Sequence, residues 1–251
     1  MQAKRKMDPR ATCYARQLAL SEIGVEGQKK LAAARVLLVG IGGLGSAAGS
    51  YLVAAGIGTL GLMDDDRVEA SNLQRQIAHA AADVGRLKVD SAKERFLALN
   101  PDVCIEPYPE RLTGANAEAR IKDYDFVIDG TDNFNSKFLI ADACHATGKP
   151  YSHAGILEFG GQTMTVLPGE SACLRCLFGA PAEAVDTDSP RGPLGVVPGV
   201  LGSIQAAEAI KALVGFGKLL TNRLLTFDAL EMQFREIQTR RNPSCPLCGK
   251  Q

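Results

Sequence analysis

The sequence has no tryptophan, only three histidines, no excess of either charge and no unbroken apolar run long enough to cross a membrane. Lys plus Arg number 28 and Asp plus Glu number 28. That balance argues against a general nucleic-acid binder and against an acidic solvating chain. The one long uncharged stretch, Val36 to Met63, holds 28 residues but is interrupted by eight glycines, at 40, 42, 43, 45, 49, 56, 58 and 61. A spanning helix needs about 20 continuous apolar residues, so strand–helix–strand fits better and no membrane partner is expected. The basic N-terminus (Lys4, Arg5, Lys6, Arg10) leads into no apolar segment. No signal peptide is therefore expected, and the protein is placed in the cytoplasm. Internal repeats and low-complexity tracts are also missing.

What is present is an ordinary globular composition, 46% apolar and 22% charged. The 251 residues can bury roughly three quarters of their unfolded surface in one core. Twenty-six glycines point to tight turns and close backbone approaches. Behind a loose arm over residues 1–15, Arg16 to Lys30 reads as a helix with a Gly break. Arg35 to Gly40 is a continuous apolar run bounded by Gly, the pattern of a buried parallel strand. Gly43 to Ala55 reads as a small-residue helix, Thr59 to Met63 as a second strand and Lys88 to Leu99 as a helix stopped by Asn100-Pro101. Val103 to Tyr108 is a third strand, with Pro107 and Pro109 marking an edge. Asp125 to Asp129 is a fourth, followed by a helix near Asn135 to Thr147, and Lys149 to Ala154 opens a fifth.

This alternation predicts an α/β fold with a doubly wound, mostly parallel sheet of Rossmann-like type. Further on, Gly161 to Leu167 alternates like a half-exposed strand. Phe178 to Pro198, rich in Pro, Gly, Asp and Ser, reads as a mobile crossover loop. Gly202 to Leu213 suits a helix, and Arg223 to Phe227 and Gln233 to Thr239 suit strands. Nothing resembles a linker, so residues 1–251 are expected to form a single unit. Its parts are an N-terminal arm and helix (1–30), a nucleotide-binding core (31–160) and a C-terminal strand and helix extension (161–251).

The seven cysteines include two C-x-x-C pairs, Cys173/Cys176 and Cys245/Cys248, separated by 68 residues. In a reducing compartment such pairs read as a Zn²⁺ site in preference to disulfides. Four thiolates leave no open coordination position, so the metal would be structural and would staple the chain's end to its middle.

Gly40-Ile41-Gly42-Gly43-Leu44-Gly45 fits G-x-G-x-x-G between a predicted strand and helix, where backbone N–H groups can approach a phosphate. Nineteen residues on, Asp64 ends the second strand in the position that binds ribose hydroxyls. Then come Asn72, Arg75 and Gln76, and then Lys88. Two cations here suit a triphosphate, where bound NAD would not need both. Asp132, with Asn133 beside it, follows the fourth strand and could hold Mg²⁺ on the phosphates. Taken singly, Arg75 and Lys88 could be solvated charges, Asp132 a helix cap and Gln76 a loop hydrogen-bonder.

Together these residues, with Tyr14-Ala15-Arg16-Gln17 and the two cysteine pairs, resemble the ThiF/MoeB/HesA adenylyltransferases, bacterial relatives of the ubiquitin-activating enzymes. The resemblance covers essentially the whole chain. Asp64 to Asp66, Asn100 to Asp102, Arg111 to Gly114 and Phe159 to Gln162 look more like ThiF than MoeB. The resemblance implies that Mg-ATP adenylates the C-terminal glycine of a small ubiquitin-like sulfur carrier of the ThiS or MoaD type, bound by the 161–251 part. Pyrophosphate leaves, and the acyl-adenylate goes on to a thiocarboxylate in thiamine or molybdopterin synthesis. It further implies that Asp64 binds ribose, that Asn72, Arg75 and Lys88 hold phosphates, and that Asp132 holds Mg²⁺. Arg16 would cross the interface of a homodimer to reach the partner's phosphates.

One departure stands out. Relatives often carry a cysteine in the crossover loop where this chain has Asp188, and no thiol lies between Cys176 and Cys245. Covalent transfer on that loop is therefore not expected, and sulfur delivery falls to a separate donor protein. No appended sulfurtransferase domain is expected beyond the second cysteine pair. Cys13, Cys104 and Cys144 read as core fillers, and His79, His145 and His153 as structural. Two rival classes use the same glycine turn or fold: a nicotinamide or flavin oxidoreductase, and a non-catalytic carrier-binding scaffold. Adenylation of a different carboxylate is a third possibility.

Overall fold

The computed structural model describes residues 13–179 and 192–249. Eight strands form one sheet: β1 (Arg35–Val39), β2 (Thr59–Met63), β3 (Cys104–Tyr108), β4 (Phe126–Asp129), β5 (Tyr151–Leu157), β6 (Gly160–Val166), β7 (Arg223–Asp228) and β8 (Gln233–Gln238). Their spatial order is β3-β2-β1-β4-β5-β6-β7-β8. The first five run parallel, and β5 to β8 pair antiparallel. From β1 the chain winds outward to β3, then crosses back to β4 on the other side. The order therefore reverses between β1 and β4, and a crevice opens there beyond the carboxyl ends of the strands.

Strands β2 and β4 are buried at every residue and β1 at all but its first. Both faces are covered by helices, so an unbroken apolar run suits this position better than alternation. β3 lies at the edge, as its prolines require, because Pro cannot donate to a second neighbour. The predicted N-terminal helix is two pieces, α1 (Ala15–Leu18) and α2 (Gly24–Ala33). They are followed by α3 (Gly43–Ala54), α4 (Lys88–Leu99), α5 (Ala117–Ile121), α6 (Phe134–Thr147), α7 (Leu174–Phe178) and α8 (Val196–Val214).

The crossover segment differs from expectation. Residues 180–191, and with them Asp188, lie outside the described residues. The helix predicted from Gly202 begins at Val196. Pro198 is compatible with a first helical turn, where its missing N–H has no partner to lose. By length and composition α8 could cross a membrane, yet it packs against α3 and the sheet. Its polar residues are engaged: Gln205 Nε2 donates to the Asp129 and Ser152 carbonyls at 2.9 and 3.0 Å, and Glu208 accepts from Thr165 Oγ1 at 2.6 Å. It is a core helix. The cysteine expectation also changes, since Cys144 is buried but Cys13 and Cys104 are exposed. Cys104 begins the uncovered edge strand, and Cys13 sits at the open N-terminal end.

Candidate active site

A cavity of about 400 Å³ occupies the crevice at the β1/β4 reversal. Gly40, Gly42 and Gly43 form its floor, and Asp64, Arg75, Gln76, Lys88, Asp132 and Asn133 stand around it. The glycine turn is built by close backbone packing. Gly40 has φ +87°, a conformation open mainly to glycine. A Cβ on Gly45 would collide with the Gly40 carbonyl oxygen, so Gly45 shapes the turn from behind and does not line the cavity.

Asp64 ties the end of β2 to this turn. Its Oδ2 accepts the Ile41 N–H at 2.7 Å and its Oδ1 accepts the Asp66 N–H at 2.9 Å. Burial pushes its carboxyl above the ordinary range against the opposing pull of Lys88. His79 holds the other side of Ile41, with Nε2 3.2 Å from the Ile41 carbonyl oxygen and Nδ1 2.8 Å from Ser91 Oγ. Burial lowers its pKa, so the neutral ring donates to the carbonyl and accepts from the serine. The histidine is structural, as expected.

Three cations flank the space. The buried Lys88 ammonium pairs with Asp66 Oδ2 at 2.7 Å, and an ammonium keeps two further N–H donors after that contact. Arg75 Nη1 donates to the Ser71 carbonyl at 3.0 Å, which leaves most of its fork for an anion. Arg111 is the third, exposed at the cavity's lip just past β3. Gln76 is 5% exposed, lines the cavity, and its buried Oε1 has no hydrogen-bond partner among the described residues. An unpaired buried amide oxygen of that kind carries a desolvation cost.

Asn72 is different. It is buried, but its Oδ1 accepts the Glu69 N–H at 3.3 Å and closes the turn Ala70–Asn72. It is not among the residues lining the cavity. The short polar side chain has been used by its own turn, so Asn72 shapes the loop that carries Arg75.

Asp132 is exposed on the cavity wall, and among the described residues its side chain is hydrogen-bonded only by Asn133 Nδ2, at 3.4 Å. Asn133 caps α6, its Oδ1 accepting the Ser136 N–H at 2.9 Å. Arg16 is not at this site. Its neighbours Tyr14 and Gln17 bond to Asn100 at 2.7 Å and to the Ala55 carbonyl at 3.0 Å, at the far end of α3 from the glycine turn. Twelve helical residues rise about 18 Å.

Sequence reasoning missed Glu110, Arg111, Leu112, Ser136, Ile156, Leu157 and Pro193, all of which line the cavity. The rule that located Asp132, a position just beyond a parallel strand, also marks Glu110 to Leu112 after β3. Nothing local marks Leu157 or Pro193, which arrive from the antiparallel half and from the segment before α8.

A second constellation lies behind α6. The four sulfurs of Cys173, Cys176, Cys245 and Cys248 all fall within 4.8 Å of one another. Cys173 to Cys245 is 3.5 Å and Cys176 to Cys248 is 3.3 Å. Four thiolates tetrahedral about one Zn²⁺ would lie about 3.8 Å apart, so the set is compatible with one metal ion. Burial raises the Cys245 thiol, but the N–H groups of Cys248 and Leu247 together with the Cys173 and Cys248 thiols bring it down to about 7. Arg175, inside the first knuckle, grips Asp142 of α6 with two 2.7 Å bonds.

Residues 14–247 match the ThiF family. The chain belongs to the ThiF family. It is 47% identical over 243 residues to the sulfur carrier protein adenylyltransferase of Thermus thermophilus, covering 94% of this chain and 90% of that one. It is 44% identical over 239 residues to the SAMP-activating enzyme E1 of Haloferax volcanii, covering 94% and 88%. The crystal structure of E. coli MccB with ATP superposes with a TM-score of 0.81 at 26% identity, over 90% of this chain and 70% of that one. The ThiF-family chain is thus an ATP-using adenylyltransferase. The oxidoreductase and scaffold readings of the same glycine turn fall with that assignment.

Proposed function

We propose that this enzyme adenylates the C-terminal glycine carboxylate of a small ubiquitin-like sulfur carrier. The observation that carries the reading is the cavity at the β1/β4 reversal. There a glycine floor, Arg75, Lys88, Gln76 and Asp132 surround a space fit for a triphosphate. ATP would lie with its ribose on Asp64 and its phosphates between the glycine turn, Arg75 and Lys88. The carrier's carboxylate oxygen attacks the α-phosphorus, the bond to the β-phosphate bridging oxygen breaks, and pyrophosphate leaves with that electron pair. Little proton transfer is needed, so positioning and charge neutralisation supply the catalysis. Mg²⁺, held by Asp132, would spread the charge developing on the leaving phosphates.

The carrier's body fits the antiparallel half. Leu157 lines the cavity and is 60% exposed, and Phe159, Leu230, Met232 and Phe234 continue an exposed apolar surface beside it. Such a patch at a cavity mouth marks a partner surface. A second copy of the chain would supply Arg16, which its own subunit holds at the wrong end of α3. An apolar groove of Tyr51, Ala206 and Ile210 opens beside Gln17, next to Arg16, and offers the surface for that copy. Zn²⁺ on the four cysteines, a separate sulfur donor and a cytoplasmic location complete the reading.

The deciding experiment mixes the protein with Mg-ATP and candidate carriers ending in Gly-Gly and reads the intact mass of each carrier. One carrier is expected to gain the mass of AMP. Pyrophosphate release with no carrier modified would move the substrate to another carboxylate.

A further inference from the structure

Beneath the Thr131–Asn133 loop lies a buried ion pair that the proposed reaction does not itself use. Lys137 of α6 and Asp129 at the end of β4 have side chains 7% and 1% exposed, with Nζ 3.3 Å from Oδ2. Lys137 Nζ also donates to the Thr131 carbonyl and to the Ala154 carbonyl, each at 2.6 Å. Its three protons are thereby all placed. Asp129 Oδ1 accepts from the Thr131 N–H at 3.1 Å and from Thr131 Oγ1 at 2.6 Å, while Oδ2 meets His153 Nδ1 at 2.8 Å. Burial by itself would raise the Asp129 carboxyl, but Lys137 and these hydrogen bonds hold it at about 2.

The two residues therefore hold Thr131 from both ends, one on its N–H and hydroxyl and the other on its carbonyl. The carbonyl held by Lys137 belongs to the peptide that begins Asp132, whose own side chain has almost no support. A buried ion pair contributes little net stability over an apolar pair of the same size, and satisfied buried networks fix a geometry. Here the geometry fixed is that of the site loop. We propose that Lys137 and Asp129 are positioning residues that set the orientation of Asp132 for adenylation. This rests on the reading that Asp132 acts on the phosphates, either directly or through a divalent cation.

Removing one partner alone would leave a buried charge and could unfold the chain. The test is therefore the double variant Lys137→Met/Asp129→Asn, which deletes both charges and keeps an acceptor for the Thr131 N–H. Its kcat for pyrophosphate exchange should fall about 10–100-fold, the cost of losing an orienting partner, while KM for ATP stays nearly constant. Mn²⁺ affinity in the presence of a non-hydrolysable ATP analogue, read by electron paramagnetic resonance, should weaken over the same range. A double variant that melts normally and keeps wild-type kcat and Mn²⁺ affinity would overturn the proposal. Should it fail to fold, Thr131→Val decides the matter, because it removes only the hydroxyl contact to Asp129. Lowered kcat and Mn²⁺ affinity in that variant support the proposal, and unchanged values overturn it. Asp132→Asn is run alongside. Full exchange in that variant would remove the reading of Asp132 and the proposal with it. An inactive Asp132→Asn beside a normal double variant would sink only the proposal.

Discussion

Gly40 and Gly130 face each other backbone to backbone at the floor of the crevice. A Cβ on Gly40 would lie 2.8 Å from the Gly130 carbonyl, and one on Gly130 would lie 2.6 Å from the Gly40 carbonyl oxygen. Both neighbours are main chain at the ends of β1 and β4, so neither can rotate away. Gly130→Ala should therefore push the strand ends apart where the nucleotide binds. We expect a stability loss of about 1–3 kcal/mol, the usual cost of overpacking, and ATP binding weakened well beyond that of a surface variant. Urea unfolding and ATP titration calorimetry read the two effects separately. Normal ATP affinity would show that the crevice tolerates the displacement.

Asp132→Ala should abolish turnover and leave the fold intact. The side chain is exposed and its one hydrogen bond among the described residues is at 3.4 Å from Asn133, so little packing is lost. A kcat loss of about 100-fold or more is expected if it carries charge stabilisation at the phosphates. Substantial residual pyrophosphate exchange at an unchanged melting temperature would refute that role.

Arg16→Ala and Lys88→Ala should each be inactive alone, yet a mixture should recover activity. In mixed dimers one site has both Arg16 from its neighbour and its own Lys88, so an equimolar mixture should regain about a quarter of wild-type turnover. No recovery after subunit exchange would count against delivery across the interface.

Zinc content and stability should travel together. One Zn²⁺ per chain is expected by elemental analysis, and a strong chelator should lower the melting temperature because metal binding is coupled to folding. Cys245→Ser should show the lower melting temperature without chelator, and catalysis should change only indirectly. Equal melting of the wild type with and without chelator would remove the staple.

Stability should fall as pH drops below about 6.5, the ordinary histidine value. Burial lowers the pKa of both His79 and His153 in the folded chain. Between the folded and unfolded values the unfolded state binds protons that the native state refuses, so unfolding becomes easier as pH falls. Each histidine contributes at most about 1.4 kcal/mol per pH unit in that window. Asp129 acts with the same sign, but its pKa is lowered by Lys137 and its hydrogen bonds against the effect of burial. Its folded pKa is depressed to about 2, so its contribution is present above about 4 and is lost as pH falls towards 2. Urea midpoints at pH 7 and pH 5 should differ in the wild type. His153→Gln should reduce that difference, and a slope unchanged by the substitution would exclude His153 as its source.

By itself the sequence determined what local spacing can encode. Short apolar runs marked β1, β2 and β4, the glycine turn and Asp64 marked a nucleotide crevice, and the cysteine pairs marked a metal-compatible set. Within each strand run, the glycine turn and each C-x-x-C pair, the residues stand a few positions apart, where covalent geometry already dictates relative placement. Tertiary structure decided what distant segments bring to one point. It turned Asn72 into its own turn, brought Arg111 and Leu157 to the cavity from opposite halves of the sheet, and began α8 six residues ahead of Gly202. It also set Lys137 and Asp129 under the Asp132 loop and held the neighbours of Arg16 at the far end of α3 from the cavity. Those relationships depend on sheet order and on which polar groups remain unpaired after packing, and no periodicity along the chain records either.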